Sequence, residues 1–256
     1  MRLLLSFLFS LMVPRLVAAD PVPRVEPASL PARDQKVEPA KPAVEKLEGG
    51  RYRVGEVNFD PATREIRIPA VVNMTGGLLE FLLVRKDGKI HESLFRSDVN
   101  PTHLNLAFAL LRYQPSAELY AEIDPETGHT TGELPQVAEE VKAASRVNIK
   151  VEWNDNGQTK TSPVNEWISD LTTEKQMPSG PWVYGGSVMD GGRYVPEATG
   201  DIVAILLTNS AMILYPGADN SNDEVWQPYA KRVPPIDTKV TLIFSPNSPS
   251  KPAPKP

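Results

Sequence analysis

The chain has 256 residues, no cysteine and a formal net charge of -5 at neutral pH. The missing thiols exclude a disulfide framework, a lipidated N-terminal cysteine, thiolate metal sites, iron–sulfur clusters and a cysteine nucleophile. The mildly acidic balance, without a block of like charge, supplies no electrostatic reason to bind nucleic acid or an anionic bilayer.

Residues Met1–Ala19 read as a cleavable signal peptide. Arg2 gives the positive start, Leu3–Val13 the apolar stretch, and Val17 and Ala19 the small residues before the cut. The apolar stretch is too short for the ~20 residues of a membrane span. No later segment is long and apolar enough, so no transmembrane segment is expected after cleavage and the location is extracytoplasmic, periplasmic or secreted. From Asp20 to Gly50 proline recurs among charged and small residues with no aromatic, the composition of a disordered linker. Ser245–Pro256 has the same character and reads as a solvated, disordered tail. Between them Arg51–Phe244 is one domain by length.

Within it the dominant period is two. Arg51–Val57 and Arg64–Val72 flank the turn-rich Asp60-Pro61-Ala62-Thr63 and predict a hairpin. Leu79–Val84 and Lys89–Phe95 flank Asp87-Gly88 and predict another. Asn100 can cap a helix over Pro101–Arg112, with Leu104, Ala107, Phe108 and Leu111 inward and Asn105 and Arg112 on the opposite side. A weaker helix covers Gln136–Ala144, with Val137 and Val141 inward. Arg146–Trp153 alternates cleanly, and Asn156-Gly157 turns it into Gln158–Pro163. Trp182–Met189 and Arg193–Val195 flank Asp190-Gly191-Gly192; Asp201–Leu207 is a buried-type run that Ala211–Tyr215 can join; Lys239–Phe244 closes the domain. The fold class is α+β, mainly antiparallel β-sheet with one clear helix and one weaker helix. No glycine-rich phosphate loop follows a strand, so no nucleotide site is predicted.

Several segments together carry a resemblance. They are Gly76–Val84 (GGLLEFLLV), Lys89–Phe95 (KIHESLF) running into Asn100–Leu104 (NPTHL), Gly180–Ser187 (GPWVYGGS), Gly200–Ala204 (GDIVA) and Asp223–Trp226 (DEVW). In these the chain resembles the YdjY-domain family of exported bacterial proteins over most of Arg51–Phe244. The resemblance implies a cell-envelope setting and brings no catalytic residues with it. An iron–sulfur cluster carried by a relative would find no ligand here.

Residues that could carry chemistry are few. His91, Asp98 and His103 would form a two-histidine, one-carboxylate metal site if the Arg96–Asn100 loop folded back, although their spacing matches no common ligand motif; the plainer reading packs both imidazoles against the fold. Ser93 and Ser187 are candidate nucleophiles with His91 or His103 as base, but neither lies in Gly-x-Ser-x-Gly. Asp219, Ser221 and Asp223 space oxygens like a calcium loop, yet Glu224 and Ala230 stand where such a loop needs glycine and glutamate; a solvated turn is the default. Trp182, Tyr184 and Trp226 would bind a sugar ring or a protein if exposed, and the commoner fate of such aromatics is the core. Three functions follow: a non-catalytic envelope module that binds a protein or glycan; a metal-dependent or serine hydrolase centred on His91, Ser93 and His103; and a calcium-stabilised structural module. No organic cofactor is predicted. Expressed in an exporting bacterial host, the purified protein is expected to begin at Asp20 on N-terminal sequencing; recovery of a chain starting at Met1 would refute the cleavage site.

Overall fold

The computed structural model describes residues 43–247; the expected signal peptide, most of the expected linker and the tail from Ser248 lie outside the described residues. In chain order the strands and helices are β1 (Val44–Lys46), β2 (Tyr52–Val54), β3 (Val57–Asp60), β4 (Glu65–Val72), β5 (Phe81–Arg85), β6 (Ser93–Ser97), α1 (Pro101–Leu110), α2 (Glu139–Ala144), β7 (Arg146–Asp155), β8 (Gln158–Pro163), β9 (Ile168–Asp170), β10 (Trp182–Tyr184), β11 (Met189–Asp190), β12 (Arg193–Tyr194), α3 (Val195–Thr199), β13 (Asp201–Ala204), β14 (Ile213–Leu214), β15 (Trp226–Pro228) and β16 (Lys239–Pro246). The domain is β-rich with few helices, as the two-residue alternation predicts.

The main sheet closes on itself. The order β4-β16-β7-β10-β14-β13-β5-β6 returns to β4 through the pairs Val71↔Arg96 and Val72↔Phe95, making an eight-stranded barrel that strand alternation alone did not announce. The β1–β3 ribbon extends from β4, and β8 extends from β7. Eight strands leave an interior just wide enough for side chains to fill. Register shows which ones. Val72, Phe95 and Leu83 align across three strands; Val203 pairs with both Leu83 and Ile213; Tyr184 faces Ile213, and Trp182 faces Val147. All belong to one apolar core.

Helix α1 plugs one end of the barrel. The Asn100 side chain accepts hydrogen bonds from the backbone N–H groups of Thr102 and His103, and Leu104, Ala107, Phe108 and Leu111 are buried, as their spacing requires. The Phe108 ring stacks on Tyr184 at 4.5 Å and meets Phe244 edge-on at 5.7 Å. Asn105 departs from expectation. Its Oδ1 accepts a 2.6 Å hydrogen bond from the Tyr184 hydroxyl, so it ties the plug to the barrel wall instead of pointing away. Val141 of α2 is likewise 40% exposed, not inward.

The Asp87-Gly88 hairpin does not form. β5 and β6 pair in parallel, Phe81 beside Ser93 and Leu83 beside Phe95. Gly88 is held against the chain after α3: a Cβ there would lie 3.2 Å from the carbonyls of Arg85 and Thr199. The connection then runs back through a 3-10 turn at Ile90–Glu92, so the strand expected from Lys89 begins only at Ser93. β13 and β14 also pair in parallel, whereas the other barrel contacts are antiparallel. Smaller departures are local. The first strand breaks at Gly55-Glu56, β1 lies inside the expected linker, and Val195 opens α3 instead of closing a strand. The Asn156-Gly157 hairpin and the Gly191-Gly192 turn form as predicted.

Truncating the plug should leave a cavity at the barrel mouth. Phe108→Ala is expected to cost roughly 3–5 kcal/mol in chemical denaturation, against about 1 kcal/mol for removing the cap with Asn100→Ala. Equal losses would show that Phe108 is not the centre of the plug.

Candidate functional site

The parallel register has a chemical consequence. Because Phe81 and Ser93 are neighbours at the starts of β5 and β6, the residues just before them, Glu80 and Glu92, are placed side by side. The Glu80 N–H donates to the Glu92 carbonyl at 3.0 Å, and the Glu80 carbonyl accepts from Ile205 and Leu206. On the other flank the Asn73 amide donates to the carbonyls of Ile90 and Ser93, pinning the 3-10 turn that carries Glu92. The Glu92 carboxyl group is close enough to act on that of Glu80. Lys89 Nζ lies 3.7 Å and His91 Nε2 3.6 Å from the Glu92 carboxylate, and Asp223 adds negative charge from the loop before β15. Partial burial, then the Glu92 charge and hydrogen bond with a smaller push from Asp223, hold the Glu80 carboxyl above the usual carboxylate range; Lys89 acts in the opposite direction. This rim gathers Glu80, Lys89, His91, Glu92 and Asp223, all on segments that carry the family resemblance.

His91 belongs to this rim but is 76% exposed, and its turn geometry brings it beside Glu92, which a regular strand would not. Ser93 is fully buried and its hydroxyl donates to the Phe95 carbonyl at 2.8 Å. Asp98 lies past the far end of β6, roughly 16 Å along the strand from His91, and pairs with Lys86 at 3.2 Å. His103 stands in the first turn of α1 against Gly55, where a Cβ would collide with the imidazole. His91 and Asp98 therefore sit at opposite ends of one strand. Among the described residues no three His, Asp or Glu side chains converge as metal ligands. Asp219, Ser221 and Asp223 are exposed on one loop. Trp182, Tyr184 and Trp226 are buried: Trp182 Nε1 donates to Asn165 Oδ1, and the Trp226 ring packs edge-on against Tyr215 at 5.9 Å.

Ser187 adopts a left-handed backbone, φ 64°, and its hydroxyl donates to the Asn209 and Ser210 carbonyls. Near it is a residue that sequence reasoning missed. Asp201 is 2% exposed, accepts from Ser210 Oγ at 2.5 Å through Oδ2, and leaves Oδ1 without a hydrogen-bond partner. Thr208 Oγ1 lies 2.8 Å from Ser210 Oγ, extending the chain of hydroxyls. Glu80 was missed as well, although its one charge inside the apolar run Leu78–Val84 was the available signal.

The pair sets a pH dependence. Glu80 binds its proton more tightly in the folded chain than in the unfolded one, so its ionisation weakens the fold. Its contribution is fully present below the ordinary value of 4.5 and is lost as pH rises through the raised folded value. Glu80→Gln should thus match the parent in urea midpoint near pH 4 and exceed it increasingly toward pH 7. A constant difference across that range would dissolve the coupling.

No curated protein and no solved structure matches this chain. The YdjY domain matches residues 57–245, which spans the whole barrel and most of the chain. The chain belongs to the YdjY-domain family.

Proposed function

We propose that this chain is an exported cell-envelope protein whose barrel domain is a non-catalytic binding or structural module. The observation that carries the reading is the filled barrel. Its interior is occupied by Trp182, Tyr184, Phe95, Phe108 and Phe244, all buried, so among the described residues the barrel is filled by packed side chains where a catalytic lumen would lie. The hydroxyl of Ser93 is committed to a backbone carbonyl, and His91 and Asp98 flank opposite ends of β6. Recognition then falls to the surface. One cleft of about 310 Å³ lies beside β4, lined by Glu56, Pro69, Val71, Arg96, Asp98 and Lys239. It forms where β4 changes partner: Glu65–Arg67 pair with β3, Val71–Val72 with β6, and the stretch between, including Pro69, pairs with neither. A cleft mixing both signs of charge suits a polar protein surface. The buried tryptophans leave no exposed indole from that set for stacking on a sugar ring, so a protein partner fits better than a glycan.

The reading is tested by exposing the purified protein to a fluorophosphonate probe and measuring its metal content by mass spectrometry. No labelled serine and less than stoichiometric metal are expected. Labelling of Ser93 that disappears in His91→Ala would replace this reading with a hydrolase.

A further inference from the structure

The cleft beside β4 sorts its charges to two sides. The strand itself offers a ligand little there. Backbone groups of successive residues point to opposite edges of a strand, which commits Ile68 and Ala70 to β16. On the other edge Pro69 has no N–H, and its carbonyl already accepts from Ser97 Oγ at 2.6 Å. An added strand finds no ladder to extend, so side chains do the recognising. Four of those lining the cleft are charged. Arg96 is held by Asp237 at 2.5 Å and Asp98 by Lys86 at 3.2 Å. Glu56 and Lys239 are both exposed and form no ion pair among the described residues. They stand on opposite sides of an apolar strip. Glu56 is in the two-residue turn between β2 and β3, and continuing the β3–β4 register sets it level with Pro69. Lys239 pairs with Val71 from the β16 side. Between them Pro69 is exposed and Val71 half-buried. Two strand spacings across and two residues along separate the Glu56 and Lys239 backbones, roughly 12 Å.

We infer that this cleft takes an extended peptide segment of a partner protein with the pattern basic-x-apolar-x-acidic. The basic residue meets Glu56, the apolar one lies on Pro69 and Val71, and the acidic one meets Lys239. The inference rests on the proposed function, a binding module, and names the chemistry of its partner. Charge complementarity sets the two ends, because a segment with one sign at both ends would press a like charge against Glu56 or Lys239. Spacing sets the length. An extended chain shows residues i, i+2 and i+4 on one side, and i and i+4 lie about 13 Å apart, close to the separation of the two free charges. The middle residue then falls on the apolar strip. A single amino acid, whose ammonium and carboxylate share one carbon, does not span that distance. Arg96 and Asp98, each held by its own partner, stiffen the walls and leave the sorting of sign to Glu56 and Lys239. Exposed ion pairs contribute little each, so the signature of the site is its preference among sign patterns and not its strength.

The test titrates the purified protein at low salt with capped pentapeptides and follows the amide resonances of Val71, Ser97 and Val240 by NMR. The first peptide is lysine-serine-valine-serine-glutamate; the second carries lysine at both ends and the third glutamate at both ends. The first is expected to shift these resonances at millimolar concentration, and the other two to bind roughly threefold to fivefold more weakly, the loss of one exposed ion pair. Lys239→Glu should move the preference to the lysine-ended peptide and Glu56→Lys to the glutamate-ended one. Both positions are exposed, and the melting temperature should stay within a few degrees of the parent. The three-peptide comparison in the parent stands without either variant. Equal responses to all three peptides, or a preference that the two charge reversals do not move, overturn the inference. The same shifts from an equal concentration of lysine amide and acetylglutamate, added as separate molecules, overturn the peptide assignment. No response to any peptide overturns the inference too, while serine labelling and metal content decide the binding-module reading separately.

Discussion

Strand β4 has to satisfy more neighbours than an ordinary strand, and the architecture depends on how it does so. Along one edge it pairs with β16 over six residues. Along the other it serves β3 first and β6 afterwards, and the barrel closes through only two residue pairs with β6. A seam that short cannot hold by backbone hydrogen bonds alone, each contributing about 1 kcal/mol net. What holds it is the interior behind it. Val72 and Phe95, the last pair of the seam, are fully buried in the common core, and Phe95 packs against Trp167 at 5.6 Å. Next to the seam, Ser97 Oγ donates to the Pro69 carbonyl, satisfying an acceptor in the stretch of β4 that neither β3 nor β6 covers. The surface cleft beside β4 is the outward trace of the same change of partner.

Closing the barrel also dictates where charge collects. β5 can reach β6 in parallel only because a seven-residue connection, Lys86–Glu92, folds back over the β13 side of the barrel, with Gly88 pressed against Gly200. Parallel crossovers usually need a dozen residues or more. Here the 3-10 turn shortens the return and leaves Glu92 level with Glu80. The paired carboxylates at the rim are thus a product of topology: an antiparallel hairpin through Asp87-Gly88 would have set Glu80 opposite Phe95 instead of beside Glu92.

The long excursion between α1 and β7 is anchored by few contacts, each of which constrains its neighbours. Tyr120 donates its hydroxyl to the Ala211 carbonyl and accepts the Ser187 N–H, and its ring fills the space where a Cβ on Gly185 would stand. Arg146 pairs with Glu118, which is mostly buried. These contacts cover a second, smaller apolar cluster on the outside of the barrel around Phe81, Val84 and Leu214. Both faces of β5 are therefore buried, and its burial shows no alternation.

That last feature explains what could and could not be read from the residues. Where one face meets the core and the other meets water, as in β7, alternation of Val147, Ile149 and Val151 with Asn148 and Lys150 was enough to place the strand, and Asn156-Gly157 its turn. The helix at Pro101 was legible for the same kind of local reason: a capping side chain, a proline in the first turn and an apolar stripe at helical spacing. Family membership was legible as well, from short runs such as KIHES and GPWVYGGS. The continuous apolar runs at Phe81–Arg85 and Asp201–Ala204 carried no register, since a strand buried on both faces has no polar side to orient it. Whether they paired parallel or antiparallel, and with whom, was decided by the closed barrel. By itself the sequence determined which segments extend, where one helix begins and that the aromatics go inside, because those follow from interactions within a few residues. The closed barrel, the separation of His91 from Asp98 and the pairing of Glu80 with Glu92 were decided only by tertiary structure, because each depends on which distant strand supplies the missing neighbour.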